Sequence, residues 1–439
     1  MANVILFEVV SKPTIFPVVP ISLGYIAASL KENIENVFIK IISFGSSNSI
    51  CELEKELSRI KPILIGFSTY QINIYSVLNL AAFIKKILPN VFIIIGGPQA
   101  IFLPPQSLLA MESIDFVCRS EGELVLPRLV ENIKRNKDLE LVQGILFKKN
   151  KKIIETSLPL LPQDLDIYPS PYLFNIYDLK NYQEAMVLSS RGCLYNCPFC
   201  YTPKAYNYTV RFHSIKRVIS EMEMIIKGGI RKFWFADPTF TCFGRRTEDL
   251  MDEIIKKKWD ISIFCETRLD LVTPYLLKKM KRAGVNRIGY GLETVNKKTL
   301  KMINKKMNLK QIASIIKLTQ NIGIEPELFF IYGLPGESFE DALKTIEFVK
   351  KMGIKFRGNS NGRQLEIYFG TEFYENMMKY GIKPLLKKSP LFLSPGNLFK
   401  TVNMDKKDLN NIEAILNNLR ELADKEYFDS LSFYYSSYI

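Results

Sequence analysis

Two rhythms of apolar and polar positions run through the first 148 residues. Continuous apolar runs at 4–10, 38–44, 63–68, 91–95, 116–119 and 144–148 predict strands buried on both faces. Between them, 21–32, 50–59, 74–88 and 124–136 repeat apolar residues at helical spacing and predict helices packed on those strands. Interleaved in this way, they predict a doubly wound, Rossmann-like α/β domain with a parallel sheet. Such a fold takes its ligands in loops at the carboxyl ends of its strands.

The rhythm stops over 149–184, where Pro159, Pro162, Pro169 and Pro171 predict a linker without regular structure. It resumes over 185–380. Strands are predicted at 185–190, 232–236, 261–267, 287–291, 327–332 and 364–368, with helices at 218–228, 273–282, 309–320 and 339–352. This repetition predicts a partial (β/α)6 TIM-type barrel with its chemistry in the loops that follow the strands. The segment 381–439 begins irregularly. Leu409, Ile412, Ile415, Leu416, Leu419 and Leu422 then fall at helical spacing and predict a helical C-terminal tail that closes the barrel mouth and shapes a substrate pocket.

Composition narrows the class. Of 439 residues 47% are hydrophobic, enough for the cores of two or three domains. No run of 18 or more apolar residues exists, so no membrane span is expected. The apolar start, Val4-Ile-Leu-Phe-Glu-Val-Val10, lacks a charged leader and a cleavage site and reads as a strand, which makes the cytoplasm the expected location. The net charge of +14 comes from dispersed lysines without an Arg/aromatic recognition run. It reads as a solvated surface, and no nucleic-acid partner is expected.

The densest chemistry lies at Arg191-Gly-Cys-Leu-Tyr-Asn-Cys-Pro-Phe-Cys200, where three of the chain's seven cysteines stand in a CxxxCxxC spacing. Thiolates this close can hold an iron–sulfur cube by three corners, where ordinary clusters take four cysteines. The fourth iron is then open to a ligand, as the fourth position of a catalytic zinc is. The competing reading is a structural zinc site completed by His213, the only histidine. A disulfide framework is not expected in a long, cysteine-poor chain. Cys51, Cys118, Cys242 and Cys265 are scattered singly and are expected to be small buried hydrophobes.

CxxxCxxC with Phe199 before the last cysteine resembles the signature of the radical S-adenosylmethionine (SAM) enzymes. The resemblance implies that Cys193, Cys197 and Cys200 hold a 4Fe-4S cluster whose open iron chelates SAM, with Phe199 against the adenine. The strand-end segments Trp234-Phe-Ala-Asp237, Glu266-Thr-Arg268, Gly291-Leu-Glu-Thr294, Gly333-Leu-Pro-Gly-Glu337 and Gly370-Thr-Glu-Phe-Tyr374 extend it. By the same resemblance, Asp237, Arg268, Glu293, Gly333 and Pro335 contact SAM. In Val210-Arg-Phe-His-Ser214, Ser214 suits a helix N-cap, and His213 is structural or touches a cobalamin phosphate.

The first domain is similar to the cobalamin-binding domain that precedes many such cores. Pro20-Ile-Ser-Leu-Gly24, Ser68-Thr-Tyr70, Gly96-Gly-Pro-Gln99 and Ser120-Glu-Gly-Glu123 carry that likeness. It implies cobalamin contacts at Leu23, Gly24, Ser68, Thr69, Tyr70, Gly96, Gly97, Pro98, Gln99, Glu121, Gly122 and Glu123. The family loop often reads Gly-Gly-Pro-His, and Gln99 replaces that histidine. Residues 1–148 contain no histidine, so this domain has no imidazole for the lower face of cobalt; Thr69 or Tyr70 is expected nearest.

Together these features resemble the cobalamin-dependent radical SAM enzymes. The activity implied is methyl transfer from SAM through methylcobalamin to an unactivated carbon. Ring formation or oxidation with the same cofactors is the alternative, and a non-catalytic cobalamin-binding regulator is the reading from another class. A small-molecule, lipid or peptide substrate and a reducing partner such as ferredoxin or flavodoxin are implied. The expected organisation is 1–148 cobalamin domain, 149–184 linker, 185–380 radical SAM core and 381–439 tail.

Overall fold

The computed structural model describes residues 2–10, 18–45, 48–356, 361–385 and 390–436, with side chains through 423. The chain forms two compact units that interleave in sequence: Met1–Val187 with Arg211–Lys232 and Lys388–Ser394, and Leu188–Val210 with Phe233–Lys387 and Pro395–Ile439.

The first unit is built on a seven-stranded sheet. Its strands are β1 (Ala2–Val9), β2 (Val37–Phe44), β3 (Leu64–Ser68), β4 (Phe92–Gly96), β5 (Phe116–Cys118), β6 (Ile145–Lys149) and β7 (Lys152–Glu155), in the order β2-β1-β3-β4-β5-β6-β7. β1 pairs in parallel with β2 and β3, setting Val4 between Ile39 and Leu64. The helices are α1 (Ile21–Asn33), α2 (Ile50–Ile60), α3 (Ile74–Ile87), α4 (Pro98–Ile101) and α5 (Gly122–Lys134). α1 and α5 cover one face of the sheet, where Leu23, Ala27, Leu30, Leu126 and Leu129 bury against Val4, Leu6 and Ile94. Most predicted boundaries fall within two residues of those observed.

Two expectations need correction. β6 and β7 run antiparallel, not parallel, and β7 lies inside the segment read as irregular. Asn150 and Lys151, at φ 50° and 62°, make the left-handed two-residue turn that suits the twist of a hairpin. Cys51 is exposed rather than buried. It lies two residues before Leu53, which α2 buries with Leu57 and Ile60, and two residues place it on the opposite helix face.

The barrel region contributes β8 (Glu184–Val187), β9 (Ser190–Gly192), β10 (Val210–Phe212), β11 (Lys232–Phe235), β12 (Ser262–Thr267), β13 (Val285–Glu293), β14 (Glu325–Tyr332) and β15 (Arg363–Gln364). Its sheet holds β11 to β15 in chain order. The pairs β12–β13, β13–β14 and β14–β15 are all parallel. The helices are α6 (Thr202–Ala205), α7 (Ile215–Lys227), α8 (Gly244–Lys257), α9 (Pro274–Arg282), α10 (Lys297–Met302), α11 (Leu309–Asn321), α12 (Phe339–Lys351), α13 (Glu372–Glu375) and α14 (Lys406–Ser436).

Sequence periodicity misses α8, because Thr247 stands in for an apolar residue in its buried stripe of Thr247, Leu250, Met251 and Ile254. Strand β15 is shorter than predicted, and Ile367 beyond it bridges Gly396 instead. In α14, Leu409, Ile412 and Leu416 are buried, whereas Leu422 is exposed. Among the described residues no helix is long and apolar enough to cross a membrane.

Candidate functional site

The cysteine loop leaves β9 at Gly192, whose φ of 99° suits glycine. A Cβ there would lie 2.1 Å from the Thr209 carbonyl oxygen. The loop is then pinned along its length. Asn304 donates to Asn196 O at 2.7 Å, and Phe373 N donates to Pro198 O at 3.0 Å. Cys200 N reaches Cys197 O at 3.0 Å, and the Arg268 guanidinium stacks 4.0 Å above the Tyr195 ring. Cys193 is buried, with Cys197 and Cys200 partly so.

Burial pushes the Cys197 thiol up to about 11, with Lys305 and Arg268 pulling it down and Glu293 and Cys200 adding to the rise. Burial also raises Cys200, which Thr202 hydrogen bonds oppose. Iron binding therefore has to displace protons. Among the described residues no three cysteine, histidine or acidic side chains converge on one metal ion. His213 has both ring nitrogens engaged, Nε2 with Tyr25 Oη at 3.1 Å and Nδ1 with Asp166 at 3.0 Å, and its ring stacks on Tyr25. That is a structural role. Ser214 beside it caps α7 by accepting from Arg217 N.

Around the thiols stand the side chains at the carboxyl ends of β12 and β13. Arg268 donates from Nε and Nη2 to Asp270 at 2.9 and 2.8 Å. Its Nη1 is buried without a hydrogen-bond partner. A buried guanidinium with one unused donor fits a ligand carboxylate, the group SAM would bring. Glu293 sits at a bulge in β13 with a φ of 62° and holds Lys305 at 2.7 Å. Lys305 also donates to Gly291 O at 2.7 Å, and a Cβ on Gly291 would lie 2.8 Å from its Nζ.

The loop after β14 is organised by Glu337. This fully buried carboxyl accepts from Gly333 N at 3.0 Å, Leu334 N at 3.3 Å and Thr294 Oγ1 at 2.9 Å. Burial pushes it up to about 8 despite those donors. Leu334 belongs to an apolar cluster with Phe373 and Phe399, against which Phe199 packs, and Pro335 is buried next to it. The cysteine loop and the Gly-Leu-Pro turn thus share one apolar wall. Asp237, by contrast, accepts from Ser189 N at 3.2 Å, Ser189 Oγ at 2.9 Å and the Ser190 hydroxyl, so its carboxylate braces the chain entering the cysteine loop.

In the first unit the strand-end loops interlock. Thr69 donates from N and Oγ1 to Gly96 O, both at 2.7 Å, and Gln99 N returns to Thr69 O at 3.1 Å. Gly97 has a φ of 94°, and a Cβ there would press on Thr69 O at 3.0 Å. Tyr70 stands 44% exposed beside them, with Ile72 at 80%. Interlocked loops with uncovered apolar rims fit a large flat ligand such as cobalamin.

The other residues named for cobalamin sit differently. Leu23 is in the domain core. Gly24 makes room for Tyr177 and Pro171, since a Cβ would lie 2.6 Å from the tyrosine ring. Gly122 admits Ile26 of α1 in the same way, at 2.9 Å. The Glu121 carboxylate pairs with buried Arg211 at 2.6 and 3.2 Å and takes the Tyr168 hydroxyl. Ser29 Oγ donates to the Glu123 carbonyl at 2.8 Å. Gln99 is 3% exposed. The sequence reading gave no role to Glu337, Asp270 or Tyr195. Glu337 had a signal, since a carboxyl closing a tight glycine–proline turn has backbone N–H groups within reach.

Residues 14–130 match the B12 binding domain model, and residues 187–349 match the Radical SAM superfamily model. An uncharacterized methyltransferase of Pyrococcus horikoshii is 28% identical over 77% of this chain and 74% of its own length. The anaerobic magnesium-protoporphyrin IX monomethyl ester cyclase of Rubrivivax gelatinosus is 26% identical over 75% of this chain and 62% of its own. In fold, the chain resembles the radical S-adenosylmethionine methyltransferase TsrM from Kitasatospora setae, solved with cobalamin and a [4Fe-4S] cluster. The TM-score is 0.73 at 14% identity, over 92% of this chain and 80% of that one.

Proposed function

Because the chain belongs to the cobalamin-dependent radical SAM enzymes, with a 4Fe-4S cluster, SAM and cobalamin as cofactors, we propose that it transfers a methyl group from SAM to an unactivated carbon. When bound, the cluster supplies the electron that splits SAM into a hydrogen-abstracting radical, and cobalamin carries the methyl group. The observation that carries this reading is the gathering of Cys200, Arg268, Glu293 and Lys305 within electrostatic reach of the Cys197 thiol.

The chain's own residues have separable tasks. Cys193, Cys197 and Cys200 hold the cluster. Arg268, oriented by Asp270 and stacked on Tyr195, offers its free Nη1 to the SAM carboxylate. Glu293, neutralised by Lys305, faces the ribose hydroxyls. Phe199 and the Gly333-Leu-Pro335 turn wall in the adenine and exclude water. In the first unit, Ser68, Thr69, Tyr70, Gly96 and Gly97 receive cobalamin. No proton transfer by histidine is required, which accords with a chain holding only one.

Substrate contacts fall to the partly open face of β11 to β14. Trp234 Nε1 there is buried without a hydrogen-bond partner. Burial first, then Glu327, pushes Glu266 up to about 7. Both are suited to hydrogen-bonding a neutral polar group. The net charge of +14 favours an acidic electron donor of the ferredoxin or flavodoxin kind, and we place the protein in the cytoplasm, where thiols stay reduced.

Product counting tests the reading. Methyl transfer consumes two SAM and yields S-adenosylhomocysteine and 5′-deoxyadenosine in equal amounts. The likeness to the cyclase favours a second reading, ring formation without methylation. That reaction gives deoxyadenosine without matching S-adenosylhomocysteine.

A further inference from the structure

Within the first unit, a short segment from far along the chain lies on the strand-end loops. Gln99 Nε2 donates to Phe392 O at 2.9 Å, across 293 positions of sequence. Gln71 and Ser394 exchange two hydrogen bonds, Gln71 Nε2 to Ser394 O and Ser394 Oγ to Gln71 Oε1, both at 3.0 Å. Ser107 Oγ donates to Leu391 O at 2.6 Å. The Phe392 ring stands edge-on to Tyr75, with centroids 5.7 Å apart. Gln99 and Ser394 are each 3% exposed, and Ser107 is fully buried.

These contacts meet the two loops that fit cobalamin. Gln99 is tied twice, by its backbone N to Thr69 O at 3.1 Å and by its side chain to the segment. Gln71 lies two residues after Thr69. The loops after β3 and β4 are therefore fastened to each other and to one external strip of backbone. Bringing so distant a segment into place costs chain entropy, which the buried amide and hydroxyl bonds offset. Loops held at fixed spacing before a ligand arrives lose less freedom on binding it.

We propose that Pro390–Ser394 is a clamp on the cobalamin site, with Gln71 and Gln99 as positioning residues that act through it. The proposal rests on the reading that cobalamin lies over these loops. Gln99 then serves the site from behind, through Phe392 O, and not by touching the corrin. Cobalamin binding and clamp docking must favour each other to the same extent.

The test uses the full chain loaded with hydroxocobalamin and freed of excess. Retained corrinoid is followed by absorbance during dialysis. Gln99→Ala is expected to lose cobalamin about tenfold faster than the unaltered chain, the scale set by one or two buried hydrogen bonds. Gln71→Ala, a milder change at the partly open rim, and Phe392→Ala, which removes the buried ring that stands edge-on to Tyr75, are each expected to lose it several-fold faster. Hydrogen exchange supplies a readout that general destabilisation does not move. Amides of 391–394 are expected to exchange more slowly after loading in the unaltered chain, and to show no such response in Gln99→Ala. Equal retention in all three variants, or exchange in 391–394 indifferent to loading, overturns the clamp while leaving the cobalamin site standing. A natural-sequence chain that retains no corrinoid overturns the site reading itself, and the clamp with it.

Discussion

Thr294 donates its hydroxyl to Glu337 across 2.9 Å, joining the end of β13 to the turn after β14 through one buried carboxyl. The same carboxyl collects Gly333 N and Leu334 N, so the shape of the turn depends on it.

That relationship carries a pH signature. Glu337 is pushed up to about 8 from an ordinary 4.5. Between those values the folded chain keeps a proton that the unfolded chain has released. Stability should therefore fall as pH rises through this window, by up to about 1.4 kcal/mol per pH unit, and level off above about 8. Glu266, raised to about 7, adds a fall of the same sign up to that point. The Glu337 share is isolated by comparing denaturant unfolding of Glu337→Gln with the unaltered chain from pH 5 to 8. The variant should show the shallower slope; parallel slopes would refute the assignment.

Gly192 is the tightest glycine on the site. Its φ is 99°, and a methyl group on its Cα would meet the Thr209 carbonyl oxygen at 2.1 Å, so Gly192→Ala cannot be accommodated without moving the cysteine loop. The expected outcome is a folded protein whose iron uptake drops several-fold. Full iron content in the alanine variant would show that the loop does not need this geometry.

Arg268 and Asp270 divide one task. Arg268→Lys loses the planar fork and the stack on Tyr195, and SAM affinity measured by equilibrium dialysis should fall about 10- to 100-fold with the cluster intact. Asp270→Asn should weaken SAM by a smaller factor, since only the aim of the guanidinium is loosened. Unchanged SAM affinity in Arg268→Lys would remove Arg268 from the carboxylate site.

Glu121 separates a cofactor contact from a structural one. It pairs with Arg211, whose side chain is 1% exposed. Glu121→Ala takes a bidentate carboxylate away from a buried cation, which costs up to about 3–5 kcal/mol. The loss should be visible in denaturant unfolding without cobalamin. A residue acting only on the cofactor would leave that measurement unmoved.

Much of this was legible in the sequence because local pattern and tertiary fate coincide. The strands ending at Ser68 and Gly96 are apolar runs buried on both faces, and a run of that kind has few other places to go. CxxxCxxC carries its chemistry in its spacing. The losses came where side chains are spent on other parts of the fold. Gly24 and Gly122 are small so that Tyr177 and Ile26 can approach, and nothing in a glycine's neighbours says which partner it admits. Asp237 faces two serines 47 and 48 positions earlier. The antiparallel turn of β6 into β7 rests on the backbone angles of Asn150 and Lys151, and lysine gives little hint of a left-handed conformation.

The account stands on three thiols sharing one cluster. Anaerobic reconstitution with iron and sulfide, followed by metal analysis and visible absorption, tests this most directly. The natural sequence should take up about four irons per chain and turn brown, and Cys193→Ala, Cys197→Ala and Cys200→Ala should each lose both properties. A chain that stays colourless, or keeps its iron when all three cysteines are alanine, contradicts the account.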